Sequence, residues 1–130
     1  MTESKLQAGL LELLRAELAS ETALQYASKP VIIKHSDGFT SGSPDISITW
    51  KKKDTWWELK HGEKVVWANA LQQLTCRRLA ANGICYVVLY EDVLSHRRTC
   101  ILTPDEEDVE VVDGFDHRFV LDFVRRTHAQ

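Results

Sequence analysis

Three chemically reactive side chains occur where two short apolar runs flank a charged turn. Asp45 opens the first run, and Glu58 and Lys60 close the second. This pattern predicts a β-hairpin, which brings the start of its first strand beside the end of its second. Because residues i and i+2 of a strand share a face, Glu58 and Lys60 point the same way. Two carboxylates and an amine that converge at a strand edge suit a hard divalent cation with a water molecule held beside it.

The same residues resemble a nuclease signature. Pro44-Asp45, followed by Glu58-Leu59-Lys60, resembles the PD-(D/E)XK motif of a large nuclease superfamily. The spacing between the two parts fits one hairpin. A metal-dependent nuclease is therefore the first functional hypothesis for this chain.

The sequence context resembles one branch of that superfamily. Gly42 precedes the Pro-Asp pair, and a helix that carries Gln72 ends at residues 79–83, ahead of an apolar run at 84–90. This order is similar to the virus-type replication-repair nucleases (VRR-NUC) and the Holliday-junction resolvases. The similarity covers roughly residues 3–90.

The resemblance implies a metal site and its chemistry. Asp45 and Glu58, together with the carbonyl of Leu59, would bind Mg²⁺ or Mn²⁺ through oxygen. Lys60 would orient the attacking water or stabilise the transition state. No covalent intermediate is needed for such a hydrolysis.

The resemblance also implies two supporting residues. The family supplies a further carboxylate from its first helix, and Glu3 matches that pattern, with Glu12 and Glu17 as competitors. The family's helix glutamine sits over the metal, a role that falls to Gln72, with Gln73 as the alternative. Each of the three acids could instead be a solvated charge on the helix face.

Several basic residues are candidates for contacts to DNA phosphates. They are Lys51, Lys52, Lys53, Lys64, Arg77 and Arg78. The lysines at 51–53 form the predicted hairpin tip, which is also typical of a solvated turn. The two arginines fall near the end of a predicted helix, where the helix dipole favours basic residues in any case.

The elements around the hairpin predict an α/β fold. Leucines recur at helical spacing over residues 3–19, a strand is predicted at 31–35 and a turn at 36–38. A second helix is predicted at 65–81 and a strand buried on both faces at 84–90. A strand, a helix and a parallel strand form a right-handed crossover. Trp67, Leu71 and Leu74 are the predicted buried stripe of that helix. With the resemblance, this gives a restriction-endonuclease-like core, a central mixed β-sheet flanked by helices in α-β-β-β-α-β order.

The remaining residues carry weaker signals. A helical turn is predicted at 91–95, strands at 99–102 and 109–112, and a terminal helix at 116–127. A chain of 130 residues is long enough for one domain with a real core, so we expect a single nuclease-like domain over residues 1–130.

Composition limits the class of protein. The chain is 44% hydrophobic and 27% charged, as in ordinary globular proteins, and has no apolar run of membrane-spanning length and no signal-peptide pattern. Its three cysteines show no metal-type pairing, which favours a reducing, cytoplasmic compartment. The virus-type resemblance adds a phage-encoded protein in a bacterial host as one origin.

The net charge of −3 is unevenly distributed along the chain. Seven of the 19 acidic residues fall within 105–116, which has no Lys or Arg. The rest of the chain is therefore net basic, so a DNA-facing side is compatible with the composition.

The predicted function is a metal-dependent DNA endonuclease that cuts branched or junction DNA in replication, recombination or repair. A homodimer with paired sites is compatible with the small surface of one domain. One alternative is a non-catalytic DNA-binding or assembly module with a nuclease fold. A second is a restriction-type, sequence-specific endonuclease, although no obvious insertion for reading bases is present.

Overall fold

A computed structural model describes residues 2–21, 28–35 and 42–130. The helices are α1 (Glu3–Glu21), α2 (Ala70–Asn82) and α3 (His117–Ala129). The strands are β1 (Val31–Lys34), β2 (Ile46–Trp50), β3 (Lys53–Gly62), β4 (Ile84–Val93), β5 (His96–Leu102) and β6 (Asp108–Asp113). The predicted turn at 36–38 lies outside the described residues. None of the helices in the described ranges is long and apolar enough to cross a membrane.

The strands form one mixed sheet in the order β1-β2-β3-β4-β5-β6. Strands β3 and β4 are parallel and joined through α2, and the other neighbouring strands are antiparallel. The predicted α/β class and the α-β-β-β-α-β order of the first six elements are therefore confirmed. The hairpin of β2 and β3 is also confirmed, with Ile46 opposite Trp57.

The main core lies between one face of the sheet and helices α1 and α3. Leucines of α1 at helical spacing pack there against Trp57 and Leu59 of β3. Adjacent Trp56 and Trp57 face opposite sides, as the alternation of a strand requires, so Trp56 lies on the α2 side of the sheet. The side chains of Glu58 and Lys60 share that second face.

Helix α2 is shorter than the sequence predicts. It begins at Ala70 rather than at 65, because Asn69 is its N-cap and accepts a hydrogen bond from the backbone nitrogen of Gln72 at 2.9 Å. The predicted buried stripe is wrong for Leu71 and Leu74, which are 49% and 50% exposed. Cys76 is the buried residue of α2 instead.

The predicted helical turn at 91–95 is wrong. Strand β4 continues to Val93, which pairs with His96 of β5 across a two-residue turn. The strands predicted at 99–102 and 109–112 are confirmed and extend slightly further, and the terminal helix α3 begins after its N-cap residue Asp116.

A buried histidine fixes the end of α3 to the central hairpin. The Nδ1 atom of His128 donates to the carbonyl oxygen of Trp50 at 3.0 Å, and its Nε2 atom accepts from the hydroxyl of Thr55 at 2.8 Å. That hydroxyl also accepts from Nε1 of Trp57 at 2.9 Å. Lys53 adds a bond from its amine to the carbonyl oxygen of Thr127 at 3.0 Å. The neutral imidazole thus links α3 to both β2 and β3 through hydrogen bonds.

We expect the stability of the protein to fall at mildly acidic pH through His128. Burial lowers the pKa of His128, with the nearby amines of Lys53 and Lys51 acting in the same direction. The unfolded chain therefore binds a proton that the folded chain resists. The stability contributed by the neutral ring is complete above the unfolded pKa of about 6.5 and is lost as the pH falls below it.

Urea denaturation at pH 7.5 and pH 5.5 measures this effect. Burial also lowers the pKa of His117, so the wild type alone does not isolate one residue. The His128→Gln variant is expected to be less stable at pH 7.5 and to lose less stability on acidification than the wild type. An equal loss in both proteins would contradict the assignment.

Candidate active site

The site forms where strand β3 extends beyond its partner β2. Because β2 begins at Ile46, the next backbone N–H groups along this edge of β3 have no strand partner. The carboxylate oxygen Oδ2 of Asp45 accepts from the backbone nitrogen of Leu59 at 2.7 Å. Pro44 directly before it fixes φ, which presents the Asp45 carboxylate from a stiff turn.

The carbonyl of Leu59 faces the same edge. In an extended strand the N–H and the C=O of one residue point to the same side, as the paired bonds of antiparallel ladders show. Since the Leu59 N–H points at Asp45, its carbonyl oxygen is presented on the side of β3 where that carboxylate lies. The Leu59 carbonyl, a predicted main-chain ligand, therefore points to the edge of β3 where Asp45 lies.

The Glu58 side chain is almost completely shielded from solvent. It is 1% exposed, and its oxygen Oε1 has no hydrogen-bond partner. Burial, followed by the charge of the neighbouring Asp45, raises the pKa of Glu58 to about 8. Burial also raises the pKa of Asp45, although the Leu59 N–H opposes this. Two adjacent carboxylates in this setting are costly to ionise unless a cation lies between them.

Lys60 is held in place from three directions. Its amine lies 3.2 Å from Oε2 of Glu58 and donates to Oε1 of Gln72 at 2.8 Å. The same nitrogen lies 5.6 Å from the ring centroid of Trp67. A lysine that makes these contacts at 8% exposure is a positioned charge rather than a mobile surface amine.

Gln72 lies beside Lys60, and its predicted place over a metal stays a prediction. Its oxygen Oε1 also accepts from the backbone nitrogen of Ala68 at 3.0 Å, which fixes the orientation of the amide. The alternative residue Gln73 lies beside Trp67 and Arg77. Of the two glutamines, Gln72 is the one that the fold brings to Lys60.

Glu3 approaches the same edge of β3 from the start of α1. Its oxygen Oε1 accepts from the backbone nitrogen of His61 at 3.2 Å, the next N–H on this edge after that of Leu59. Glu17, by contrast, pairs with Arg118 at 3.2 Å on α3. Glu12 is exposed. The role of Glu3 in chemistry stays a prediction, but its position fits better than those of its competitors.

The donor set fits a hard divalent cation. In the parts of the chain that the structure describes, no group of three or more His, Cys, Asp or Glu side chains is arranged to hold a metal. A cation here would take the carboxylates of Asp45 and Glu58 and the carbonyl of Leu59, and would fill its remaining positions with water. Mg²⁺ is bound in this way, through few carboxylates and several waters. The partnerless oxygen of Glu58 is the atom that such an ion would satisfy.

The predicted DNA-binding residues lie in three different places. Lys51 and Lys52 form the exposed tip of the β2-β3 hairpin, at the far end of β2 from Asp45. The amine of Lys53 donates to the carbonyl oxygens of Thr127 and Gln130 at 3.0 and 2.6 Å, so it caps the end of α3. This cap gives Lys53 a structural role.

Of the other three candidates, Lys64 follows β3, and Arg77 and Arg78 lie in α2. Lys64 is exposed in the connection between the two elements. Arg77 pairs with the carboxylate of Asp105 at 2.6 Å, whereas Arg78 is exposed and lines a cavity with Leu79. Arg78 and Lys64 are thus better placed for a phosphate than Arg77.

The sequence prediction missed Trp67 as part of the site. It assigned this residue to the buried stripe of a helix, whereas the residue lies in the connection before α2, where its ring faces Lys60. The signal that could have corrected this is Asn69, a strong N-cap residue directly ahead of good helix formers.

Comparisons with known proteins found similarity in structure and none in sequence. No protein-family model matches the chain, and no curated protein matches it. Among solved structures, the chain is similar to Hjc, a Holliday junction resolvase from the archaeal hyperthermophile Archaeoglobus fulgidus. The two share 14% sequence identity with a TM-score of 0.42, and the match covers 86% of this chain and 98% of that chain.

Proposed function

We propose that this protein is a metal-dependent endonuclease of the PD-(D/E)XK type that hydrolyses phosphodiester bonds in branched DNA. One observation carries the proposal. Two adjacent carboxylates, one of them buried with a partnerless oxygen, converge with a lysine that is held by three contacts. This arrangement is costly for stability and is explained by a bound cation and a reacting phosphate.

The roles follow from the positions of the side chains. Asp45 and Glu58, with the Leu59 carbonyl, would hold Mg²⁺ or Mn²⁺. The bound cation would lower the pKa of a water molecule that it holds and would stabilise negative charge on the phosphate. Glu3, which is fixed against the backbone of His61, would orient water in the outer shell of the site.

Lys60 and Gln72 would act on the reacting groups. The ion pair with Glu58 holds the Lys60 amine beside the two carboxylates, where it would stabilise charge that develops on a bound phosphate. Gln72 accepts from Lys60 through Oε1, so its amide donates only through Nε2. That nitrogen is suited to holding a phosphate oxygen or the attacking water.

The distribution of charge supports a DNA-facing side away from β6. The acidic residues 105–116 fall on β6 and its flanking turns, and β6 is at the opposite edge of the sheet from β1. Strands β2 and β3, which carry the site, are near the β1 edge. A polyanionic strand can therefore approach the site without crossing the acidic edge.

The form of the substrate is inferred from size. The hairpin turns of the described residues are short, at 51–52, 94–95 and 103–107, and add no subdomain for reading bases. Structure-specific cleavage is therefore favoured over sequence-specific cleavage. A homodimer with paired sites is part of this proposal, because one small domain covers little of a branched duplex.

A nuclease assay tests the proposal. The protein is incubated with linear, nicked, flapped and four-way DNA, with Mg²⁺ or with EDTA. Cleavage of branched DNA in Mg²⁺ alone is the expected result. Binding of branched DNA without cleavage in Mg²⁺ or Mn²⁺ would favour the non-catalytic module, and cleavage at one base sequence in linear DNA would favour the restriction-type enzyme.

Binding of the metal is expected to stabilise the folded protein independently of DNA. At a free concentration ten times its dissociation constant, a single bound cation adds ~1.4 kcal/mol to the stability, which is about 5 °C in melting temperature for a chain of this size. Thermal unfolding with increasing Mg²⁺ or Mn²⁺ measures the shift. We expect the shift in the wild type and its loss in Asp45→Asn.

The matched control is Asp122→Asn, which removes a carboxylate from the exposed side of α3. This variant is expected to keep the full metal-dependent shift. A shift of the same size in Asp45→Asn would place the cation elsewhere.

A further inference from the structure

A cavity of about 390 Å³ lies on the same face of the sheet as the site, between the first half of β3 and the end of α2. Its apolar walls are Trp56, Leu79 and Ile84. Its polar lining includes Lys52, Asp54 and Asn82. An opening of this size, lined by both apolar and polar side chains, is within the range of sites that bind one small group.

The position of the cavity relates it to the proposed chemistry. Trp56 and Glu58 are two residues apart on β3 and point to the same face. Two residues of a strand span about 7 Å. A group bound against Trp56 is therefore a near neighbour of a phosphate bound at Glu58.

The Trp56 ring is held in place. It stacks on the ring of His35, with centroids 5.3 Å apart and an angle of 29° between the planes. His35 is fixed in turn by a contact of 2.8 Å between its Nε2 and the hydroxyl of Ser47. With one side of the indole on His35, its remaining surface lines the cavity. A half-buried, preorganised aromatic ring is the platform on which proteins stack single-stranded bases.

The polar groups of the cavity match the rest of a nucleotide. Lys52 is exposed at the hairpin turn, where its amine can meet a backbone phosphate. The amide of Asn82 donates through Nδ2 to the carbonyl oxygen of Arg78 at 2.9 Å, so its other atom, Oδ1, is an acceptor. With the carboxylate of Asp54 this gives acceptors for the exocyclic amino group of a base.

We propose that this cavity binds one unpaired nucleobase of the substrate strand, next to the bond that is cleaved. The inference rests on the proposed nuclease function and names its substrate class: DNA with an unpaired nucleotide beside the cleavage point, as at a flap or a branch point. A base inside a duplex would have to leave its stack to enter, at a cost of a few kcal/mol. Fully paired DNA is therefore bound more weakly.

Binding of 2-aminopurine oligonucleotides in EDTA tests the inference without cleavage. One probe carries the fluorescent base unpaired in a flap, and the other carries it in a full duplex. Wild type is expected to bind the flap more tightly and to quench its fluorescence by stacking. Trp56→Leu is expected to weaken flap binding about tenfold or more and to leave duplex binding unchanged, and Trp56→Phe to restore most of the affinity.

A second pair of variants tests the cavity independently, in case Trp56→Leu fails to fold. Leu79→Ala removes a wall of the cavity, whereas Leu74→Ala changes an exposed leucine of the same helix outside it. We expect weaker flap binding in Leu79→Ala alone, with cooperative thermal unfolding in both.

The outcomes separate this inference from the proposed function. If wild type cuts DNA in Mg²⁺ but the Trp56 and Leu79 variants bind the flap like wild type, the cavity is not a base site and the nuclease proposal stands. Equal weakening of flap and duplex binding also overturns the base site. If wild type neither binds nor cuts any DNA, the proposed function itself fails.

Discussion

Asp45→Asn is expected to abolish Mg²⁺-dependent cleavage while the fold survives. Asparagine keeps an oxygen that can accept from the Leu59 N–H, so the local backbone is retained. It removes one of two carboxylates that would hold the cation. Losing several kcal/mol of metal-derived stabilisation of the transition state corresponds to a rate loss of about 10³-fold or more. Single-turnover cleavage of a flap at saturating protein and Mg²⁺ measures the loss.

The stability of Asp45→Asn gives an independent check. In the wild type, the charge of Asp45 contributes to the raised pKa of Glu58. Removing that charge makes the buried Glu58 carboxylate easier to ionise, so the melting temperature without metal is expected to stay level or rise. A variant that is inactive because it is unfolded would melt earlier. Cleavage near the wild-type rate would show that Asp45 is not a ligand.

Glu58→Gln is expected to be as inactive as Asp45→Asn, but it also changes the stability of the protein. Glutamine cannot supply the second carboxylate, and its amide leaves the Lys60 amine without its ion-pair partner. A buried amine that loses its partner destabilises the site. Activity and melting temperature are therefore expected to fall together in this variant.

The central hairpin and its reactive residues could be predicted because the relevant rules are local. The alternation of a strand fixes the shared face of Glu58 and Lys60, and the pairing of a hairpin places Asp45 opposite them. The parallel strand after α2 was similarly clear, since a continuous apolar run of this length must be buried on both faces. These inferences need no knowledge of how distant elements pack.

The rest of the site depends on packing between distant elements. The approach of Glu3 to the His61 backbone joins residues 58 positions apart, which no local pattern encodes. Only a resemblance to a family selected Glu3 over the competing acids of α1, Glu12 and Glu17.

The burial pattern of α2 shows the same limit. Leu71 and Leu74 are apolar at helical spacing, yet they are half exposed because Asn69 starts the helix later and Cys76 faces the sheet. Propensity located the helix but not its rotation or its first turn. Trp67 was misassigned for the same reason.

Lys60→Met is expected to lower the cleavage rate by about 10²-fold or more and to leave metal binding largely intact. Methionine keeps much of the apolar stem but removes the charge that lies 3.2 Å from Glu58 and is bound by Gln72. A positioned cation of this kind stabilises charge that develops on the phosphate in the transition state, and losing one such group costs this much. Single-turnover rates at saturating protein and Mg²⁺ report the chemical step, and the metal-dependent melting shift reports binding.

Two further variants decide whether the Lys60 charge acts in the reaction or only stabilises the fold. Lys60→Arg is expected to restore little activity, because the planar guanidinium is larger than the ammonium that the Gln72 oxygen and the Trp67 ring enclose. Lys51→Met removes an equal charge from the hairpin tip, where the amine lies 4.4 Å from the ring centroid of Trp50. It is expected to change salt-dependent DNA binding at most. Equal single-turnover rates for Lys60→Met and Lys51→Met would mean that the Lys60 amine has no part in the reaction, and that its contacts with Glu58 and Gln72 only stabilise the fold.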